Sequence, residues 1–153
     1  MKSKTLATWL ALVTGPLGGH RFYLRGLNDT LAWLMPIPTA LGVWGIERVK
    51  EFGLDDHLSW FLLPIFGIHV AASCLQAIVF GLSTPEAWNS RFNPEAPAQD
   101  PAGRSNWFTV FALVLSLMVG TAALLSAIAY GTQRYFETAL GKHSQATVSK
   151  TDA

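Results

Sequence analysis

The sequence predicts an all-α protein, an integral membrane helical bundle of four transmembrane helices with a short first helix and a kinked second. Two apolar runs carry that expectation. Trp60 to Leu82 is 23 residues without Asp, Glu, Lys or Arg, and Trp107 to Tyr130 is 24 residues without any. At ~1.5 Å per residue each helix would reach about 35 Å, against a hydrocarbon core of roughly 30 Å. Trp60, Trp107 and Tyr130 stand at the ends of these runs, where amphipathic rings favour the headgroup level. Composition agrees: only 14% of residues are charged, against about 25% in soluble domains. A soluble domain of 153 residues has too little protein to cover two such helices on all sides.

The first apolar stretch, Leu6 to Leu17, follows Lys2 and Lys4 and would make about 18 Å of helix, short for a crossing. A basic start and short apolar core outline a signal peptide. Pro16, with Gly15, Gly18 and Gly19, instead suggests a short or tilted span unwinding into a glycine-rich turn. Leu27 to Ile46 is the second candidate span. Asn28, Asp29 and Thr30 can cap its start, and Pro36 predicts a kink that neighbouring helices must accommodate.

Glu47 to Leu58 reads as a polar connector in which Glu47 and Lys50 can pair across a turn. Gly53 can stop the second helix, and Asp55 or Asp56 can cap the third. Residues 83–106 hold four of the eight prolines and read as an exposed Pro-rich loop, with Trp88 and Phe92 near the interface. The domain reading is therefore a helical hairpin over residues 1–54, a third span over 55–82, the loop, and a fourth span over 107–137. A polar tail, 138–153, follows, and Lys142 to Ala153 is expected to be disordered.

Orientation follows from basic residues. With four spans, one side carries Lys2, Lys4, Arg48, Lys50, Arg134, Lys142 and Lys150, seven against four for Arg21, Arg25, Arg91 and Arg104. That favours both termini in the cytoplasm of a multi-pass protein of the cell (inner) membrane. A net charge of +1 gives no basic surface for nucleic acid, and the single cysteine, Cys74, allows no intrachain disulfide.

Gly18-Gly19-His20-Arg21-Phe22-Tyr23-Leu24 is the most specific string. The two glycines permit conformations closed to other residues. Phe22 and Tyr23 can anchor at an interface, His20 can titrate near neutral pH, and Arg21 can bind lipid phosphate, a helix C-terminus or Asp29. The string, the short helix before it and Gly42-Val43-Trp44-Gly45-Ile46-Glu47 after it together resemble the two-transmembrane-helix family often called the TM-two domain. The resemblance covers roughly residues 1–54. The family usually has glycine directly after the leucine. Here Arg25 intervenes and glycine follows at Gly26. The resemblance implies an integral membrane protein, mostly bacterial in this short form, and no agreed reaction. The last two spans are an extension.

Inside the third span His69, Ser73 and Gln76 share one face at helical spacing. An intramembrane ionisable residue is a functional candidate, so the readings are a neutral histidine bonded to a neighbouring helix, a proton relay or a ligand site. Scattered His20, His57, His69 and His143 lack zinc-site spacing, and no cofactor is expected. Ala112, Ser116 and Gly120 form a small-residue stripe suited to close helix contact. No catalytic triad, nucleotide-binding glycine loop or paired catalytic carboxylates are apparent, so no catalytic residue is assigned. The expectation is a structural or interaction protein, such as an accessory subunit, with the lipid bilayer and a protein partner or second copy as its contacts. A transporter- or channel-like oligomer with a polar path at His69 is the alternative.

Overall fold

A computed structural model describes the backbone of residues 1–151 and the side chains of residues 1–140. The protein is all-helical across the described residues: α1 (Lys4–Val13), α2 (Gly19–Arg25), α3 (Thr30–Leu34), α4 (Pro36–Phe52), α5 (Ser59–Leu82), α6 (Pro85–Phe92) and α7 (Trp107–Thr151). Single 3-10 turns sit at Gly15–Leu17 and Pro101–Gly103. Two helices, α5 and the apolar part of α7, are long and apolar enough to cross a membrane. Only 22% of the most apolar window of each is buried within the protein, where the core helix of a soluble protein would be mostly buried.

α5 is the central helix, and α7, α4 and α1 pack around it. Close approach is set by small residues. A Cβ on Gly120 of α7 would lie 2.8 Å from Cys74 Cβ of α5, and one on Gly67 of α5 would lie 2.8 Å from Ala127 Cβ of α7. On the other flank a Cβ on Gly45 of α4 would lie 2.8 Å from Leu62 Cβ of α5. Gly42 meets the Phe66 ring with even less room. Such contacts bring backbones together where lipid-like surroundings give no hydrophobic drive between helices.

The first apolar segment departs from expectation. α1 has ten residues, about 15 Å, and starts beside segment 83–106. There Lys2 N–H donates to Asn93 Oδ1 at 2.7 Å, and buried Lys4 donates to Ser83 O at 2.8 Å. Its far end reaches only the middle of α5, where Gly15 faces Ser73. α2 then runs back: His20 bonds Gln76, and Lys2 Nζ donates to Leu24 O near the end of α2. The segment enters and leaves at the same end as a helical hairpin, where a short or tilted span was expected. The end holding the N-terminus, Gly26 and segment 83–106 is called the proximal end. The connector 53–58 and Arg134 of α7 form the distal end, joined by Arg134 to Asp55 at 3.5 Å. The apolar part of α7 thus ends at the end of the bundle opposite the N-terminus.

Two further expectations change. Residues 83–106 are a folded cap. Thr84 caps α6 by accepting from Ala87 N–H, and buried Asn89 donates to the carbonyls of Ala98 and Asp100. Trp88, 1% exposed, packs with Ala7, Leu24, Phe80 and Phe92 and donates to Lys2 O at 2.9 Å. The polar tail shares a helix backbone with α7 as far as Thr151. The expected disorder concerns residues whose side chains, and at 152–153 whose backbone, lie outside the described residues. Where the kink was expected at Pro36, a single turn residue, Met35, separates α3 from α4 while keeping helical φ −60° and ψ −34°.

Candidate functional site

The hairpin tip interrupts the α-helix with a 3-10 turn in the middle of an apolar bundle, and the backbone groups this frees must be satisfied by protein. Pro16 O accepts from His69 Nε2–H at 3.0 Å and from Thr39 Oγ1 at 2.7 Å. A carbonyl only accepts, so this bond places the proton of His69 on Nε2. One stripe of α5 receives the hairpin: His69 at Pro16, Ser73 at Gly15, Gln76 and Phe80 at His20, and Ser83, just past the helix, at Lys4. Successive positions are three or four apart, one helical face. His20 is fully buried, and its Nδ1 has no partner among the described residues.

Gly18 turns the chain with φ +80°, a conformation glycine adopts without penalty. It also lies against α3, where an added Cβ would come within 2.6 Å of Ala32 O. Ala32 is four residues before Pro36, so its carbonyl has lost its helical donor. The glycine backbone sits over the freed carbonyl.

At the top of α2, Gly26 (φ +82°) ends the helix and Asp29 starts α3. Asp29 accepts from Arg21 Nε at 2.8 Å, from Arg21 Nη2 at 3.3 Å and from Leu31 N–H at 3.2 Å. The Arg21 guanidinium holds the Asp29 carboxyl below the usual carboxylate range, against the desolvation that would raise it. Trp33 Nε1–H donates back to Leu27 O at 2.9 Å, and its ring meets Phe22 edge-on at 5.1 Å. Tyr23 OH accepts from Ser3 N–H at 2.8 Å.

The corner between α4 and α5 is built the same way. Gly53 has φ +81°, Arg48 reaches Asp56 at 2.9 and 2.6 Å, and Trp60 Nε1–H donates to Leu54 O at 3.2 Å. Asp56 also accepts from Ser59 N–H and Oγ–H, and Arg48 with Ser59 holds its carboxyl far below the usual range. The sequence repeats accordingly. Gly15, Gly18, Arg21, Gly26, Leu27, Asp29 and Trp33 recur as Gly42, Gly45, Arg48, Gly53, Leu54, Asp56 and Trp60, each 27 residues on. Because α2 runs toward the proximal end and α4 toward the distal end, the two copies point in opposite directions.

A cavity of about 280 Å³ opens at the proximal corner. Arg21, Arg25 and Arg91 supply its charge, Leu75, Val79 and Phe80 its apolar wall, and His20 and Gln76 also line it. Arg25 approaches Asp29 only to 3.9 Å and is half-exposed. Arg91 lies over the Phe92 ring at 5.3 Å and has no carboxylate within 4 Å among the described residues.

The structure therefore brings Gly18, Gly19, His20, Arg21, Tyr23 and Asp29 into one unit with His69, Ser73 and Gln76. Ala112, Ser116 and Gly120 are buried along α7, with Gly120 packed on Cys74 of α5. In the sequence, Lys4, Arg48 and Arg91 counted only as basic residues and Asp56 only as a candidate helix cap, and there was no sign of Thr39. The 27-residue repeat was the available signal for Arg48 and Asp56, whereas Thr39 and Arg91 meet their partners only through folding. His143 lies outside the described side chains. No family model, curated protein or solved structure matches the chain.

Proposed function

We propose that the protein is a multi-pass membrane protein of structural or interaction type, with three crossing helices and one re-entrant hairpin. The crossings are α3–α4 (Thr30 to Phe52), α5 and the apolar part of α7. The carrying observation is the engagement of His69: its Nε2–H is taken by the hairpin's Pro16 carbonyl, so the midplane histidine holds structure. The termini then lie on opposite sides, replacing the expectation of two cytoplasmic termini. Lys2, Lys4, Arg21, Arg25, Arg91 and Arg104 fall on the N-terminal side, six against five for the other, and charge selects no orientation. Residues 1–54 form, in this reading, a TM-two-type unit whose first helix is re-entrant, in a protein of the cell membrane that works as an accessory subunit or homo-oligomer.

Topology is tested by cysteine accessibility in a Cys74→Ala background. Cysteines at Ser3 and Ser90 should label from one face, and one at Asp55, with a C-terminal tag, from the other. Ser3 and the C-terminus on one face with Ser90 opposite would restore four crossings and remove the hairpin. For the role, purification in mild detergent should retain a stoichiometric partner or a defined oligomer. Ion flux in liposomes abolished by His69→Phe would replace this role with a conducting one.

A further inference from the structure

We infer that the proximal cavity binds the phosphodiester of an anionic membrane lipid, with Arg25 and Arg91 as its principal ligands. The inference rests on the membrane reading above, and its basis is an internal control. Both corners of the 27-residue repeat need one arginine and one aspartate, Arg21–Asp29 and Arg48–Asp56. At the distal corner the remaining cations among the described residues are neutralised: Lys50 meets Glu47 at 2.7 Å and Arg134 meets Glu137 at 2.7 Å. The counterpart of Arg25 there is Phe52, which lies 4.9 Å beneath Arg48. At the proximal corner, Arg25 and Arg91 exceed what the corner requires. They face one cavity together with Arg21, and Asp29 is already engaged by Arg21.

The cavity has a lipid's layout. Guanidinium forks match phosphate oxygens in pairs, and they stand at the end of the bundle where headgroups lie. The apolar wall descends α5 from Phe80 and Val79 to Leu75, toward the bundle middle. Val79 and Leu75 are 56% and 60% exposed, so an acyl chain can lie along them. A small soluble anion would use the arginines and leave this wall unused.

The test is thermal melting of the purified full-length protein in mild detergent with phosphatidylglycerol, phosphatidylcholine or sodium phosphate added. Phosphatidylglycerol should raise the parent's melting temperature further than either phosphatidylcholine or sodium phosphate. Arg25→Gln/Arg91→Gln should melt like the parent without lipid and bind phosphatidylglycerol about tenfold more weakly or worse, the loss expected for charge-assisted contacts. Arg91→Gln alone, which removes a contact with Phe92 and no ion pair among the described residues, should show a smaller part of the loss and covers the case in which the double variant does not fold. Equal lipid shifts in parent and variants, or no shift with phosphatidylglycerol, would overturn the site. An equal shift with sodium phosphate would assign it to a soluble anion, and one with phosphatidylcholine would remove the preference for negative lipid; both refute the inference as stated. Cysteine labelling reads topology independently, so labelling as expected without a lipid shift would sink this site and leave the three-crossing arrangement standing.

Discussion

The corners at Gly26 and Gly53 use the same seven residues at the same spacing, but the helices entering them differ: α2 has seven residues and α4 has seventeen. The cause lies between the shared glycines. In the second copy Val43 and Ile46 continue a helix through Gly42 and Gly45. In the first, Pro16 and Gly19 occupy the matching positions, Gly18 turns to positive φ, and the helix breaks. The corner motif thus fixes how a helix pair is joined, and neighbouring residues decide whether the entering helix is long and continuous or short and returning. Gly15 and Gly42 both face α5, at Ser73 and Phe66, so the repeat also preserves docking to one central helix.

Glycine substitutions should break this comparison most strongly. Gly18→Ala meets both positive φ and the Ala32 carbonyl, and should cost more than ~3 kcal/mol of stability. Gly26→Ala and Gly53→Ala meet open space, so backbone strain alone should cost ~1–3 kcal/mol at each corner. Thermal melting of the three variants in one detergent checks the order. Equal losses at all three would show that the Ala32 contact adds nothing.

The arginine pairs come next. Arg21→Ala and Arg48→Ala should each lower the melting temperature and the yield of inserted protein, with the lysine variants intermediate, because lysine keeps charge and loses the two-pronged geometry. If Arg21→Ala accumulates and melts like its parent, the proximal pair is no structural corner and the likeness between copies fails there.

Acid should separate the copies. Both aspartates are held below the ordinary carboxylate range, Asp56 further because Ser59 also donates to it. Each contribution is complete above the unfolded carboxylate pKa of ~3.9 and is lost as pH falls toward the folded value. The Asp29 corner should loosen first, read as a change in Trp33 fluorescence before Trp60 in single-tryptophan replacement variants. Simultaneous loss, or loss of Asp56 first, would contradict the added role of Ser59.

The smallest effect belongs to the indole bonds. Trp33→Phe and Trp60→Phe each remove one exposed bond to a leucine carbonyl, and should cost no more than ~0.5–1.5 kcal/mol. A much larger loss at Trp33 alone would show that its edge contact with Phe22 makes the proximal corner the more dependent on its ring.

Local physics made several features legible in the sequence. Long uncharged runs specify α5 and α7 because their length and apolarity act residue by residue. Asp29 as a cap, the interruption of the helix at Pro36 and the pairing of Arg21 with Asp29 follow from chemistry within eight residues. The three-residue face of His69, Ser73 and Gln76 was also visible from helical spacing. What that face meets was decided by tertiary structure. Leu6 to Leu17 is equally consistent with a tilted span or a returning hairpin, since its own residues do not contain its partners. His69 and Thr39 on the Pro16 carbonyl, Gln76 on His20, and Ser83 O on Lys4 lie 23 to 79 positions apart in the chain. Those bonds satisfy polar groups that an apolar surrounding cannot, so only the assembled fold determines that the first helix turns back and that three arginines come to share one cavity.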